Sequence, residues 1–455
     1  MGGGIRQMRL GAFLQDVGHH IAAWRHPDVP ATGGISFGHY ARLAQIAERG
    51  KFDAVFFGDM STIMYPEDEA LGQTARAVHI EPQSLLPALA MVTGRIGLIS
   101  TASTTYNEPY ALARRFAAID HISGGRAGWN IVTSWTHGEA LNASLAALPT
   151  HDERYVRAEE FVDVIRDLWD SFDDDAILAD KDSGQFFDPA RLHVLNHKGQ
   201  HFQVRGPLNV TRPPQGWPVL VQAGSSDDGQ ALAARVAEVI FTAQTGIEDS
   251  LAFRTKIRAR AAGFGRDPDG IKVMPGVMPV VGRSRAEAED KFHRFQELIR
   301  PEIGWAIMRR HLGGHDLSGL LPDAPVPQDL PLGEGNQSRI RLLMTVAARE
   351  GWTVRDLYWY VVGSRGHWLL LGTAEEIADQ LEARFTAGAA DGFNIMPPWL
   401  PGGLEEFVDQ VVPILQRRGL FRTDYSGTTL RDHLGLARPR GRYSDADTSI
   451  QQVSR

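Results

Sequence analysis

The sequence predicts an α/β chain folded as a (β/α)8 TIM barrel with insertions. Three observations carry this expectation. Eight short apolar runs, rich in β-branched or aromatic residues, recur between Met8 and Trp399. Longer amphipathic stretches separate them, which is the pattern of a parallel sheet covered by helices. The segment "LGAFLQDVGHHIAAWRHPD" has no G-x-G-x-x-G after the first run, the turn usual in a doubly wound open sheet. Eight such units suggest a closed barrel.

Taken in order, "MRLGAFLQ" from Met8 is the first strand, and "HYARLAQIAERGK" follows as a helix. "DAVFFGDM" from Asp53 is the second, with a helix opened by Pro82 after it. "RIGLISTASTTY" from Arg95 is the third. Its helix begins near Pro109 and stops at a glycine pair, "ISGG", the usual asymmetry of proline at a helix start and glycine past its end. "RAGWNIVTSW" from Arg126 is the fourth strand. "HDERYVRAEEFVDVIRDLW" from His151 is helical, with apolar spacing at Tyr155, Val156, Phe161, Val164, Ile165 and Leu168. "WPVLVQAG" from Trp217, "AEVIFTAQ" from Ala237, "IKVMPGVMPVVG" from Ile271 and "GFNIMPPW" from Gly392 complete the set.

Two regions break the rhythm. Residues from about 173 to 216 contain "HKGQHFQVRGPLNV", which alternates like a hairpin. Residues from about 301 to 370 contain a stretch rich in proline and glycine, then a helical stretch and "YWYVVGSRGHWLLLGT". The expected organisation is one barrel domain over 1–437 with these insertions, the second a candidate lid. The polar tail, 438–455, is expected to be poorly ordered.

Composition narrows the function. Of 455 residues, 43% are hydrophobic, enough for a large core, and the net charge of −8 argues against nucleic acid and anionic lipid. There is no cysteine, which excludes disulfides, thiol nucleophiles and thiolate metal sites. No signal peptide or spanning apolar run is read, so a cytoplasmic protein is expected. No G-x-S-x-G nucleophile elbow is read at a strand-to-helix turn, and P-loop and kinase motifs are missing from the sequence.

In such a barrel the site lies at the carboxyl ends of the strands. The polar residues there are Asp59, Thr104, Thr105, Ser134, Ser225, Ser226 and Gln244. Each reads equally as a cap or a turn residue. Strand alternation puts Asn130, Val132 and Ser134 on one face. "QAGSSDDGQALAARVA" is a strand end and a helix start, fit for a phosphate or for a plain N-cap with Asp227 and Asp228 in the first turn. His151 and Tyr155 share a face at the start of their helix. His193, His197 and His201 have even spacing, but Gly199 interrupts and H-E-x-x-H is missing, so no metal site is expected. "GHH" at 18–20 lies just past the first strand.

The segments "GHHIAAWRHPD", "STTYNEPYALARRFAAIDHISGGRAGWNIVTSW", "VLVQAGSSDDGQALAARVAEVIFTA" and "GLFRTDYSGTTLRDHLGL" resemble the bacterial luciferase-like flavin monooxygenases. The resemblance is to the branch of nitrilotriacetate monooxygenase component A and dibenzothiophene-sulfone monooxygenase, and it runs from about residue 8 to 437. It implies an enzyme that takes FMN as FMNH2 from a separate NAD(P)H:flavin reductase, together with O2. Through a C4a-(hydro)peroxyflavin it would oxygenate a small organic compound at N, S or C. The cofactor-binding residues so implied are Asp59, Thr105, Asn130, Ser134, His151, Tyr155, Gly224, Ser225 and Ser226. His20 and His137, with His19 beside them, are candidates for handling the flavin proton. A homodimer or homotetramer is the implied assembly. A deazaflavin-dependent oxidoreductase of the same superfamily and a non-catalytic flavin binder are the alternatives. Where many relatives carry Asn-Phe-Gly after "VTSW", this chain reads "ALNASLAAL", so the substrate is not legible.

Overall fold

The computed structural model describes residues 6–63, 71–224, 226–330 and 337–443. Eight parallel strands follow the eight apolar runs: β1 (Arg9–Leu14), β2 (Ala54–Phe57), β3 (Gly97–Ser103), β4 (Ala127–Val132), β5 (Val219–Gln222), β6 (Val239–Thr242), β7 (Lys272–Val281) and β8 (Gly392–Ile395). Each pairs with the next, and β8 pairs with both β7 and β1, closing the barrel. The helices used below are α1 (Phe37–Arg49), α2 (Pro82–Ala90), α3 (Pro109–Ser123), α4 (His151–Trp169), α5 (Asp227–Val236), α6 (Ile247–Gly263), α7 (Arg285–Glu297), α8 (Pro301–His311), α9 (Gln337–Glu350), α10 (Val354–Ser364) and α11 (Ala374–Thr386).

Strand parity sorts the core. On β1, Leu10, Ala12 and Leu14 face outward into the layer shared with α1 and α11. Gly11 and Phe13 face the barrel interior. On β4, Trp129 and Ile131 pack outward with Phe116, Phe161 and Trp169, and the Trp129 indole donates to the Ala102 carbonyl at 3.0 Å. Asn130 lies between them and so projects inward. The expected face of α4 is buried at Phe161, Val164, Ile165 and Leu168, but Val156 is 49% exposed.

The amino-terminal end of the barrel is closed by a segment that reads as polar. Leu430–Leu434 forms a short helix with a capping box at Thr429 and Asp432. Leu430, Leu434 and Leu436 pack beneath Val219, Val239 and Met274. Arg431, 2% exposed, pairs with Glu238. That leaves the carboxyl ends of the strands as the accessible mouth.

Both insertions are structured. In the first, His197–Lys198 and Gln203–Val204 make an antiparallel hairpin, pinned by Glu160 of α4, which accepts from the backbone of His201 and Phe202. The second supplies α8, α9 and α10, whose core includes Ile303, Ile307, Met308, Leu357 and Val361. Ile21 and Ala22, from the segment after β1, belong to the same core. Trp368–Gly372, expected within the insertion, is a further strand paired along the outer half of β7. Of the tail, residues 444–455 lie outside the described residues. No described helix is long and apolar enough to cross a membrane.

Candidate active site

Three aromatic rings, Phe13, Phe56 and Phe241, meet at 4.6 to 6.0 Å inside the barrel. Polar groups from β3 and β4 gather nearby. The Asn130 amide donates to Thr101 Oγ1 at 2.8 Å, but its Oδ1 is buried without a hydrogen-bond partner. An orphaned buried acceptor costs free energy, so this atom marks a place where a polar ligand would be favoured.

Alternation from Asn130 does not carry on to Ser134. β4 ends at Val132, and Ser134 has a left-handed backbone, φ 48°. That conformation is uncommon for serine and often marks functional turns. It brings Ser134 Oγ to 2.9 Å from Ser103 Oγ and 3.0 Å from Glu139 Oε1. Thr105 donates to the Thr133 carbonyl at 2.6 Å. Ser103, Thr105 and Ser134 thus knit together the ends of β3 and β4, all buried.

At the end of β5 the chain turns tightly into α5. A side chain at Gly224 would put its Cβ 2.8 Å from the Gly229 Cα, so only glycine fits this approach. Ser226 is the N-cap of α5, accepting from the Gly229 amide. Its Oγ also lies 3.3 Å from Tyr155 Oη. His151 stands one turn before Tyr155, with rings 4.7 Å apart. Two carboxylates stand by this turn, and each has a partner. Asp227 pairs with Lys256 and Arg260 of α6, and Asp228 lies 3.2 Å from His151 Nδ1. Ser225 lies outside the described residues.

The three evenly spaced histidines do not converge as metal ligands. His193 pairs with Asp173 and His197 with Glu160. Among the described residues, the group with metal-ligand spacing is the exposed trio His151, Asp152 and Asp228, which is the rim of the β5 turn.

A cleft of about 790 Å³, its solvent mouth included, opens beside the ends of β1 and β2. Asp59 lines it and accepts from His79 Nε2 at 3.0 Å. That bond, above all, raises the His79 pKa. Asp16, Arg76 and Arg365 line the same cleft. Asp16 is buried with φ 42°, and burial raises its pKa. Gly18, at φ 138°, turns the chain after β1 against the Pro398 backbone. The amides of His19 and His20 then donate to the Pro397 and Pro398 carbonyls. His19 is fully buried, and burial and Arg365 hold its pKa well below the usual value. His20 points the other way. It packs on Phe292 and Phe295 of α7, with Nε2 3.4 Å from Gln296 Oε1, and burial lowers its pKa to about 3. His137 is exposed at the start of a short helix, His137–Asn142.

Of these cleft residues, Arg76, His79 and Arg365 escape a strand-end search, while Gln15 and Asp16, directly after β1, were not singled out. Asp16 and Arg365 have left-handed backbones, and Arg365 comes from the insertion, beyond the end of α10. Nothing local in the sequence joins them.

Comparison with known proteins fits this architecture. A model of the luciferase-like monooxygenase family matches residues 17–391. N-acetyl-S-(2-succino)cysteine monooxygenase of Bacillus subtilis (strain 168) is 50% identical over 440 residues, spanning 96% of this chain and 99% of that protein. Nitrilotriacetate monooxygenase component A of Aminobacter aminovorans is 47% identical, spanning 96% and 98%. A crystal structure of riboflavin lyase with modified FMN and riboflavin superposes with a TM-score of 0.84 at 31% identity, covering 96% of this chain and 98% of that one.

Proposed function

Since the chain belongs to the luciferase-like monooxygenase family and is a monooxygenase, we propose that it is the oxygenase component of a two-component system. It takes FMNH2 from a separate NAD(P)H:flavin reductase and uses O2 to oxygenate a small organic compound. The observation that carries the cofactor assignment is the turn from β5 into α5. There Ser226, Tyr155 and the amino end of a ten-residue helix face one point, and one neighbouring carboxylate is drawn off by Lys256 and Arg260. A helix start of this kind favours a phosphate.

Ser226 and Tyr155 would hold the phosphate by their hydroxyls at the close turn of Gly224, and His151 would close its rim; Ser225, also expected here, lies outside the described residues. Asn130 offers its unpartnered Oδ1 as an acceptor for a flavin N–H. Thr105 and Ser134 brace that wall, and Asp59 with His79 lines the neighbouring one, past β2. When bound, reduced FMN supplies the two electrons with which O2 delivers one oxygen atom to substrate and one to water. The chain's remaining task is to exclude water. Helices α8 to α10 wall the mouth, and Arg310 of α8 lies over the Trp135 ring just past β4, 4.9 Å from its centre. A proton at the site is held better by His79, beside Asp59, than by His20, which stays neutral in its apolar packing. His137 keeps a role only if the rim closes over it.

The relatives' names do not settle the substrate, although succino-cysteine and nitrilotriacetate both bear carboxylates. The test is reconstitution. Product should form only with NAD(P)H, FMN, a flavin reductase, O2 and this chain together, and should carry one atom of 18O from 18O2. Turnover with reduced deazaflavin and none with FMNH2 would overturn the assignment.

A further inference from the structure

Below the mouth the barrel keeps a second space that the cofactor reading leaves unused. Resting on the reading of this chain as an FMNH2- and O2-dependent oxygenase, we propose that this space is a dioxygen site, which passes O2 through the aromatic trio to the mouth.

Strand parity builds the cavity. Val221, Val239 and Met274 line its wall, Phe56 and Phe241, further along their strands, its roof, and Leu434 its floor. A side chain at Gly11 would put its Cβ 2.4 Å from Asn394 Oδ1 and 3.6 Å from the Met274 methyl, so the glycine on β1 helps to leave the space open. The centre of a water-sized molecule has about 20 Å³ to move in, above the roughly 10–15 Å³ that one such molecule needs.

Water is a poor occupant, because a buried water needs about two to four polar partners. The polar residues of the lining are Asp53 and Asn394. Asp53 is already engaged: its carboxylate accepts from the Leu10 amide at 2.6 Å and from Arg422. A cavity with apolar walls stays dry and takes small apolar guests, and O2 is the small apolar molecule that the reaction consumes.

The partition above it is one layer of rings. Phe13 lines the mouth cleft, and Phe56 and Phe241 line the cavity. Phe13 stands edge-on to both, with ring centres 4.6 and 5.4 Å away. Phe241 is the least buried of the three, and reorientation of a single ring would join the two spaces. Such a route admits O2 to the mouth without admitting water.

The test labels the ten methionines of the full chain with 13C-methyl groups and follows their relaxation as dissolved O2, which is paramagnetic, is raised. The Met274 methyl, assigned through Met274→Leu, should respond several-fold more strongly than that of Met8, which is buried in the outer layer. Val239→Ile and Val221→Ile each add one methylene to the cavity and should remove most of that excess. With FMNH2 bound, both variants should react with O2 with a several-fold smaller second-order rate constant and unchanged FMNH2 affinity. Thermal melts confirm that each variant is folded. An O2 response at Met274 no larger than at Met8 would overturn the proposal. Folded isoleucine variants that react with O2 at the wild-type rate would do so too, since the cavity would then be a packing void. If the chain binds no FMNH2, yet Met274 responds to O2 and the isoleucine variants lose the response, the cofactor reading fails and the dioxygen site stands.

Discussion

Ser226→Asp separates the cap from the cofactor at the β5 turn. Ser226 caps α5 by accepting from the Gly229 amide, and aspartate caps about as well as serine, so the fold should hold. A bound phosphate would meet a new carboxylate. At about 4 Å and an effective dielectric of about 20, one pair of unit charges repels by about 4 kcal/mol. The turn is partly exposed, and salt screening reduces this to about 2 kcal/mol, roughly thirtyfold in Kd. Ser226→Asn keeps the cap without the charge and should change affinity only a few-fold. Anaerobic fluorescence titration with FMNH2 gives the readout, and riboflavin, which lacks the phosphate, is the control. Riboflavin affinity should be unchanged in Ser226→Asp, and the FMNH2 defect should shrink with added salt. A folded Ser226→Asp variant with wild-type FMNH2 affinity would refute the placement of the phosphate.

Further predictions concern protons and packing. The His79 pKa is raised above its ordinary 6.5 by Asp59, so the native state holds that proton more tightly. The pair's contribution is complete below pH 6.5 and fades as pH rises through the raised value. His79→Gln should be less stable than wild type in acid, with the gap closing in alkali; a gap independent of pH would contradict the pairing. The His20 pKa falls from 6.5 to about 3, the opposite sense. Below pH 6.5 the unfolded chain takes up a proton that the native chain refuses, at up to about 1.4 kcal/mol per pH unit. Wild type should therefore lose stability relative to His20→Gln as pH falls, as followed by urea unfolding. Leu434, 2% exposed, plugs the barrel floor. Leu434→Ala should cost about 2–5 kcal/mol in chemical unfolding, while a cost near zero would mean the floor does not depend on it.

The barrel was legible because each strand is a short apolar run bounded by turn residues, and because parity along β1 and β4 is local. What lay beyond a strand's end was less so. Ser134 faces the site through a left-handed turn rather than through the alternation that places Asn130. His19 and His20 are adjacent, yet one braces the cleft and the other packs against α7; a single loop rotation decides this, and composition does not report it. The β5 turn was readable from its small residues, but the diversion of Asp227 depends on Lys256 and Arg260 in the next helix. Arg76 and Arg365 were missed because they come from distant segments that the fold brings together over His19. The floor was missed because Leu430 and Leu434 sit in a polar stretch.

The central claim is that this chain holds reduced FMN and controls its reaction with O2. The most direct measurement is anaerobic titration with photoreduced FMN, followed by rapid mixing with aerated buffer while hydrogen peroxide is followed. Saturable binding of one FMNH2 per chain, with peroxide released much more slowly than from free FMNH2, is the predicted result. No saturable binding, or peroxide appearing at the rate of free flavin, would contradict it.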